Sequence, residues 1–143
     1  MRPLPDMTSH ILALEALLTE AGWSVHVGDV LERDPALPYV MIQARPGTGL
    51  AVNLASDQVE TDEAVNVTVV SDTPLNCLHE VAAVRRVLHG AVLDVPGRAC
   101  FPLRLDDSQP VLVDREVTLT ATGTHPAYTV DTWRVTSTPL EEP

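Results

Sequence analysis

Residues 64 to 90, "AVNVTVVSDTPLNCLHEVAAVRRVLHG", decide the fold. The stretch opens with strict alternation. Val65, Val67 and Val69 face one way and Asn66 and Thr68 the other, as successive side chains must along a pleated strand. The period then changes. Cys77, Val81, Val84 and Leu88 recur at i, i+4, i+7 and i+11, one stripe of a 3.6-residue repeat. Between the two patterns, Asp72 or Thr73 can cap a helix, and Pro74 sits in its first turn, where a missing N–H costs nothing. Gly90 supplies the stop. The spacing predicts a strand over 64–70 and a helix over 74–89, each apolar on one side only, so the two need a core to share.

Outward from this pair, residues 6–21 read as a second amphipathic helix. Met7, Ile11, Leu14 and Leu18 form its stripe, Leu17 and Ala21 widen it, Asp6 is placed to cap it, and Gly22 ends it. Trp23–Val27 and Tyr39–Ala44 read as strands, and Tyr128–Thr136, rich in β-branched and aromatic residues, as a late strand. Residues 99–105 and 111–120 are weaker strand candidates. "ARPGTGLA" at 44–51 carries a Pro-Gly turn signal, and "SDQVETDE" at 56–63 reads as an acidic loop with four acids and no base. The end, "STPLEEP", is expected to be a flexible tail from about residue 137. Helices and strands do not alternate regularly, which argues against a doubly wound parallel sheet. The expected class is α+β, a mostly antiparallel sheet with both amphipathic helices packed on one face, in a single domain over 1–143. The other face, with Asn66 and Thr68, is left for solvent or a neighbour.

Composition narrows the function. With 143 residues, of which 45% are hydrophobic and only 3% aromatic, the core must be built from Val, Leu, Ile and Ala, and few aromatic platforms remain for single-stranded nucleic acid. The net charge is −11, and the nine basic residues are scattered, so phosphate neutralisation is excluded as the main activity. Cys77 and Cys100 form no CxxC, and they fit two reduced thiols better than one disulfide, because Cys77 lies on an apolar helix face. "MRPLPDMTSH" lacks the apolar run of a signal peptide, and no segment reaches the roughly 20 apolar residues that span a bilayer. A soluble protein made in a cytoplasm, without membrane association, is expected.

No pattern for catalysis or cofactor binding emerges. His10, His26, His79, His89 and His125 form no HExxH or other i, i+4 pair. His79 and His89 share a helix face but stand about 15 Å apart by helical rise, too far for one metal. Gly47 and Gly49 are not followed by Lys-Ser/Thr, so a hairpin turn explains them better than a phosphate loop. Asp57, Glu60, Asp62 and Glu63 lack the ligand order and glycine of an EF-hand; they read as a solvated loop or a docking arm. No serine sits in a G-x-S-x-G elbow, and Asp29 after Gly28 reads as a turn-capping residue. Arg85 and Arg86 near the end of the second helix complement its dipole, or pair with a neighbouring subunit. The sequence points to a protein that is not an enzyme.

Several elements taken in order carry a likeness: the opening helix "MTSHILALEALLTEAGW", then "VHVGDV", a variable loop and "LPYVMI", then "AVNVTVVSD", then "LNCLHEVAAVRRVLHG", and a late strand "YTVDTWRVTS". Over residues 7–136 the chain resembles the tail terminator, or tail-completion, proteins of long-tailed bacteriophages. The resemblance implies a sheet with helices packed on it, found in the virion tail and, before assembly, in the host cytoplasm. It implies a homo-hexameric ring that caps the tail tube, ends polymerisation of the tube protein and offers a joining surface for the head–tail connector. DNA then passes through the hole without specific binding. Another connector, a head–tail stopper or a minor tail component remains the alternative, with a small enzyme or binding module behind it. The family carries no catalytic residues, so none is transferred. In such a ring Asp57, Glu60, Asp62 and Glu63 are expected in or near the bore, where negative charge lets DNA slide.

Overall fold

The computed structural model describes residues 7–30, 35–47, 50–51 and 59–140. Two long strands organise it. β4 (Val59–Ser71) and β8 (Ala127–Pro139) pair antiparallel from Thr61↔Ser137 to Ser71↔Ala127. Their alternation places Val65, Val67 and Val69 opposite Trp133, Asp131 and Thr129 on one face, and Asn66 opposite Thr132 on the other. β2 (Tyr39–Ala44) joins the free side of β4 antiparallel, and β1 (Val25–Val27) joins β2 in parallel. β3 (Leu50–Ala51) pairs with the first residues of β4. The free side of β8 takes three short strands in turn: β5 (Arg98–Cys100), β6 (Arg104–Ser108) and β7 (Leu112–Val113). The result is an eight-stranded mixed sheet in an α+β fold, antiparallel at every pairing except β1–β2.

Both helices cover the Val65–Val67–Val69 face. α1 (Thr8–Glu20) packs on β1 and β2; α2 (Pro74–Leu88) packs on β4 and β8 and touches α1. The expected stripes are the buried ones: Met7, Ile11, Leu14 and Leu18 from α1, and Cys77, Val81, Val84 and Leu88 from α2. They close over Val40, Ile42, the β4 valines, Trp133 and Val135. Each fully buried leucine contributes roughly 1.5–3 kcal/mol relative to exposure.

The helix ends follow their local chemistry. α1 stops in a Schellman motif: Gly22 is at φ +97°, its N–H donates to Thr19 O at 3.0 Å, and Trp23 N–H reaches back to Leu18 O at 3.1 Å. α2 begins as expected, with Thr73 Oγ1 accepting from Asn76 N–H at 3.1 Å and Pro74 next in line. It ends differently from α1. His89 leaves helical geometry at ψ 119°, Gly90 follows at φ +74°, and Ala91 N–H closes onto Leu88 O at 3.0 Å, a type II turn. α1 starts on Met7 without a side-chain cap, and the expected cap, Asp6, lies outside the described residues.

Four expectations are corrected. β4 starts at Val59, so Glu60, Asp62 and Glu63 belong to a strand and not to an acidic loop; Asp57 lies outside the described residues. The tail expected from residue 137 is instead the end of β8, which runs to Pro139 with Ser137 fully buried against β5. The candidate strand at 99–105 divides into β5 and β6, and that at 111–120 shrinks to Leu112–Val113. The face away from the helices is not uniformly open either: Asn66 is exposed, but Thr68 and Val70 are buried.

Candidate assembly surfaces

The acidic residues divide between the two faces of β4. Glu60 and Asp62 share the parity of Asn66 and lie on the face away from the helices; Glu63 shares that of Val65 and lies on the helix side. Asp62 is exposed and engaged. Its Oδ1 lies 3.3 Å from Arg134 Nε and accepts from Thr136 Oγ1 at 3.2 Å. Four residues along, Thr132 Oγ1 donates to Asn66 Oδ1 at 2.9 Å. These cross-strand contacts make a polar ladder on the open face; exposed pairs of this kind are each worth at most about 1 kcal/mol. Glu63 stands beside Gly47 (φ +90°). A Cβ there would come within 3.4 Å of Glu63 Oε1 and 3.3 Å of Met7 Cγ, so both backbone and space favour glycine.

Two polar ties cross the helix-side face, and neither was foreseen. Asp131, 3% exposed, accepts from Arg85 Nε at 2.7 Å, from Arg85 Nη2 at 2.8 Å and from Ser108 Oγ at 2.6 Å. The hydrogen bonds to Asp131 raise the pKa of the Arg85 guanidinium against the effect of its burial. Arg85 therefore pins α2 to β6 and β8 within the chain, and neither the dipole nor a neighbouring subunit describes its main contact. Arg86 beside it is exposed. At the other end of β8, Ser137 Oγ lies 2.7 Å from His10 Nε2 and accepts from Arg98 Nε at 2.8 Å. Burial lowers the Arg98 pKa, with Cys100 and Glu60 opposing. His10 is three residues after Met7 and four before Leu14, inside the buried stripe, and that spacing was the available signal. His10 and Ser137 are 1% and 0% exposed, so this Ser–His contact has no substrate access and ties α1 to the sheet.

A cavity of about 570 Å³ lies between the segment 117–122 and Val30, Pro35, Leu37 and Tyr39, with Val70 and Pro126. Its lining is mainly apolar. Asp72 on its wall is held below the ordinary carboxylate value, chiefly by the Asn76 Nδ2 hydrogen bond at 2.8 Å. Burial, and then Asp114, raise the Tyr39 phenol. The carboxylate is thus kept charged and the phenol neutral, so neither group is poised to exchange a proton near neutrality. Among the described residues no three His, Cys, Asp or Glu side chains converge on a possible metal site, and no helix is long and apolar enough to cross a membrane. Both cysteines are free; burial pushes the Cys77 thiol up to about 11, with Glu80 and Asp131 adding to it.

Exposed apolar side chains gather at the two ends of the sheet. Leu12 on α1 and Val27 on β1 are exposed at one end. Leu78 on α2, with Leu105, Leu112 and Val113 on β6 and β7, are exposed towards the other. Isolated exposed leucines are ordinary; clusters on opposite edges are the pattern of surfaces that meet other surfaces.

No protein-family model matches the sequence, and no curated protein matches it. A fold likeness does exist. A chain of the virion of a native gene transfer agent particle superposes with a TM-score of 0.59, at 16% identity, over 90% of this chain and 90% of that one. The α+β architecture described above is thus similar, nearly end to end, to that of a chain in a virion particle.

Proposed function

We propose that the protein is a structural component of a phage-like virion, and within it a tail terminator. In this reading, copies join in a homo-hexameric ring that caps the tail tube, ends polymerisation of the tube protein and meets the head–tail connector. DNA passes through the hole without specific binding, and the protein resides in the virion tail. The observation that carries the reading is the fold likeness to a chain of a gene transfer agent virion over nine-tenths of both chains. The sheet ends support it, because a ring of identical subunits needs two unlike patches that meet head to tail. So does the charge of −11, which disfavours adhesion to passing DNA.

The likeness is to a chain of a whole particle, so it also fits a connector or stopper between head and tail. Deleting the gene from the producing virus separates the two. A terminator leaves tails of uncontrolled length. A connector or stopper leaves tails of normal length that fail to join heads. Normal, joined particles would remove both readings. Within the ring reading, the open face with Glu60 and Asp62 is the side proposed to line the bore, and Glu63, on the helix side, is not part of it. Charge reversal at Glu60 and Asp62 is expected to slow DNA ejection with ring assembly intact; unchanged ejection would withdraw that placement.

A further inference from the structure

The two ends of the sheet differ in the polar groups they present. At the α2 end a recess of about 480 Å³ is lined by Arg85, Arg86, His89, Leu105 and Trp133. Every polar group in that lining is a donor or can be one. Arg86 and His89 are exposed, and no hydrogen bond or ion pair holds either side chain among the described residues. Trp133 is 1% exposed, and its indole N–H has no acceptor among the described residues. Leaving a buried donor without an acceptor is costly, so an acceptor brought in from outside would be well received. Arg85 joins this recess to a second hollow along α2, lined by Leu78, Val81, Ala82 and the Ser108–Val111 link. Arg85 is committed to Asp131, so Arg86 and His89 are the uncommitted side chains of the recess, beside exposed Leu78 and Leu105.

The opposite end presents a carboxylate. α1 carries Glu15 and Glu20 and no Lys or Arg over Thr8–Glu20, its one histidine, His10, being buried. Exposed Leu12 stands between α1 and β1, over a hollow of about 400 Å³ lined by Ile11, Leu12, Glu15, Val27 and Ile42, with Arg45 the one base in its lining. Glu15 lies on the wall of that hollow and is half-buried.

We infer that the groove between α2 and β6–β7 receives the α1 face of a second copy of this chain, with Glu15 of that copy among Arg86, His89 and the Trp133 indole. The inference rests on the ring reading above and names its contact. A carboxylate-bearing helix face at one sheet end meeting a donor-lined recess at the other makes a heterologous interface, which repeats from copy to copy and closes into a ring when the rotation allows. Charge complementarity selects α1 over DNA, which the net charge repels, and the leucines supply the apolar part of the contact.

The test uses the full chain with Glu15→Arg, Arg86→Glu, and the double variant, each checked by circular dichroism for an unchanged fold. Sedimentation equilibrium gives the concentration at half-assembly. Each single reversal is expected to raise it about tenfold or more, and the double variant to return it to within about threefold of the wild type. Singles that assemble like the wild type, a double variant as weak as both losses combined, or an effect of Arg86→Glu without one of Glu15→Arg would overturn the α1 assignment and leave the ring reading standing. A wild-type chain that stays monomeric at every attainable concentration would overturn both.

Discussion

Replacing Arg85 by methionine isolates the tie between α2 and the sheet. The methionine keeps most of the apolar stem, so the change removes charge and hydrogen bonds more than packing. Asp131 then loses two of its three donors, at 2.7 and 2.8 Å, and keeps only Ser108 Oγ at 2.6 Å. Stripping the partner from a fully buried carboxylate costs about 3–5 kcal/mol. Here the arginine side chain is 38% exposed while the aspartate is 5% exposed, so water can reach part of the vacated space. The screened expectation is a loss of about 2–3 kcal/mol. Asp131→Val removes the other partner, and the freed guanidinium can turn to solvent, so that variant should lose less, about 1–2 kcal/mol. In the double variant no buried charge is left, and stability should return to within about 1 kcal/mol of the wild type. Urea unfolding at several protein concentrations gives the numbers and separates folding from self-association. Refutation would be an Arg85→Met loss below about 0.5 kcal/mol, or a double variant whose loss is the simple sum of the singles.

Three further outcomes are expected. Gly22→Ala should cost about 1 kcal/mol through backbone strain alone, because φ is +97° and nothing lies within 4 Å of the added Cβ; a neutral change in thermal midpoint would count against the Schellman end of α1. The Cys77 thiol, pushed up to about 11 in the fold from an ordinary 9.0, is held protonated there, so the folded chain keeps a proton that the unfolded chain gives up. That contribution is full below about pH 9 and is lost as pH rises towards about 11, up to roughly 2 kcal/mol, and Cys77→Ala should flatten this part of the stability profile measured by urea midpoints. Asn76→Ala removes the main cause of the low Asp72 value, so the Asp72 carboxyl, followed by NMR titration, should move up towards its ordinary 3.8; no movement would assign the effect to its other hydrogen bonds.

Much of the fold was legible because local chemistry and tertiary packing agree. Tyr39–Ala44 appears at the bounds its pattern predicts, both helical stripes are the buried ones, and Thr73, Gly22 and Gly90 punctuate where their side chains or their lack of one demand. The start of β4 was hidden because one face of a strand that is open to water tolerates charge. Glu60 and Asp62 point that way, and the donors that hold Asp62, Thr136 and Arg134, are more than 70 residues away in sequence. Only the first two residues of β6 fell inside an expected strand, because all five of its residues are exposed and no apolar period marks it. The parallel edge β1 depends on α1 and β2 being in place, which its three residues do not encode. The candidate site was less legible than the fold. Arg85 was visible as a helix-end cation, but its partner lies 46 residues downstream. The unlike ends of the sheet exist only once the strand order β1-β2-β4-β8 is known.

The central claim is that this chain acts by fitting against copies of itself at the end of a tail tube. Adding the purified protein to its own polymerising tube protein, and measuring tube lengths by electron microscopy as its concentration rises, tests that directly. The account predicts progressively shorter tubes, each ending in one ring of this protein. Tube lengths indifferent to its concentration, with no ring at either end, would contradict it.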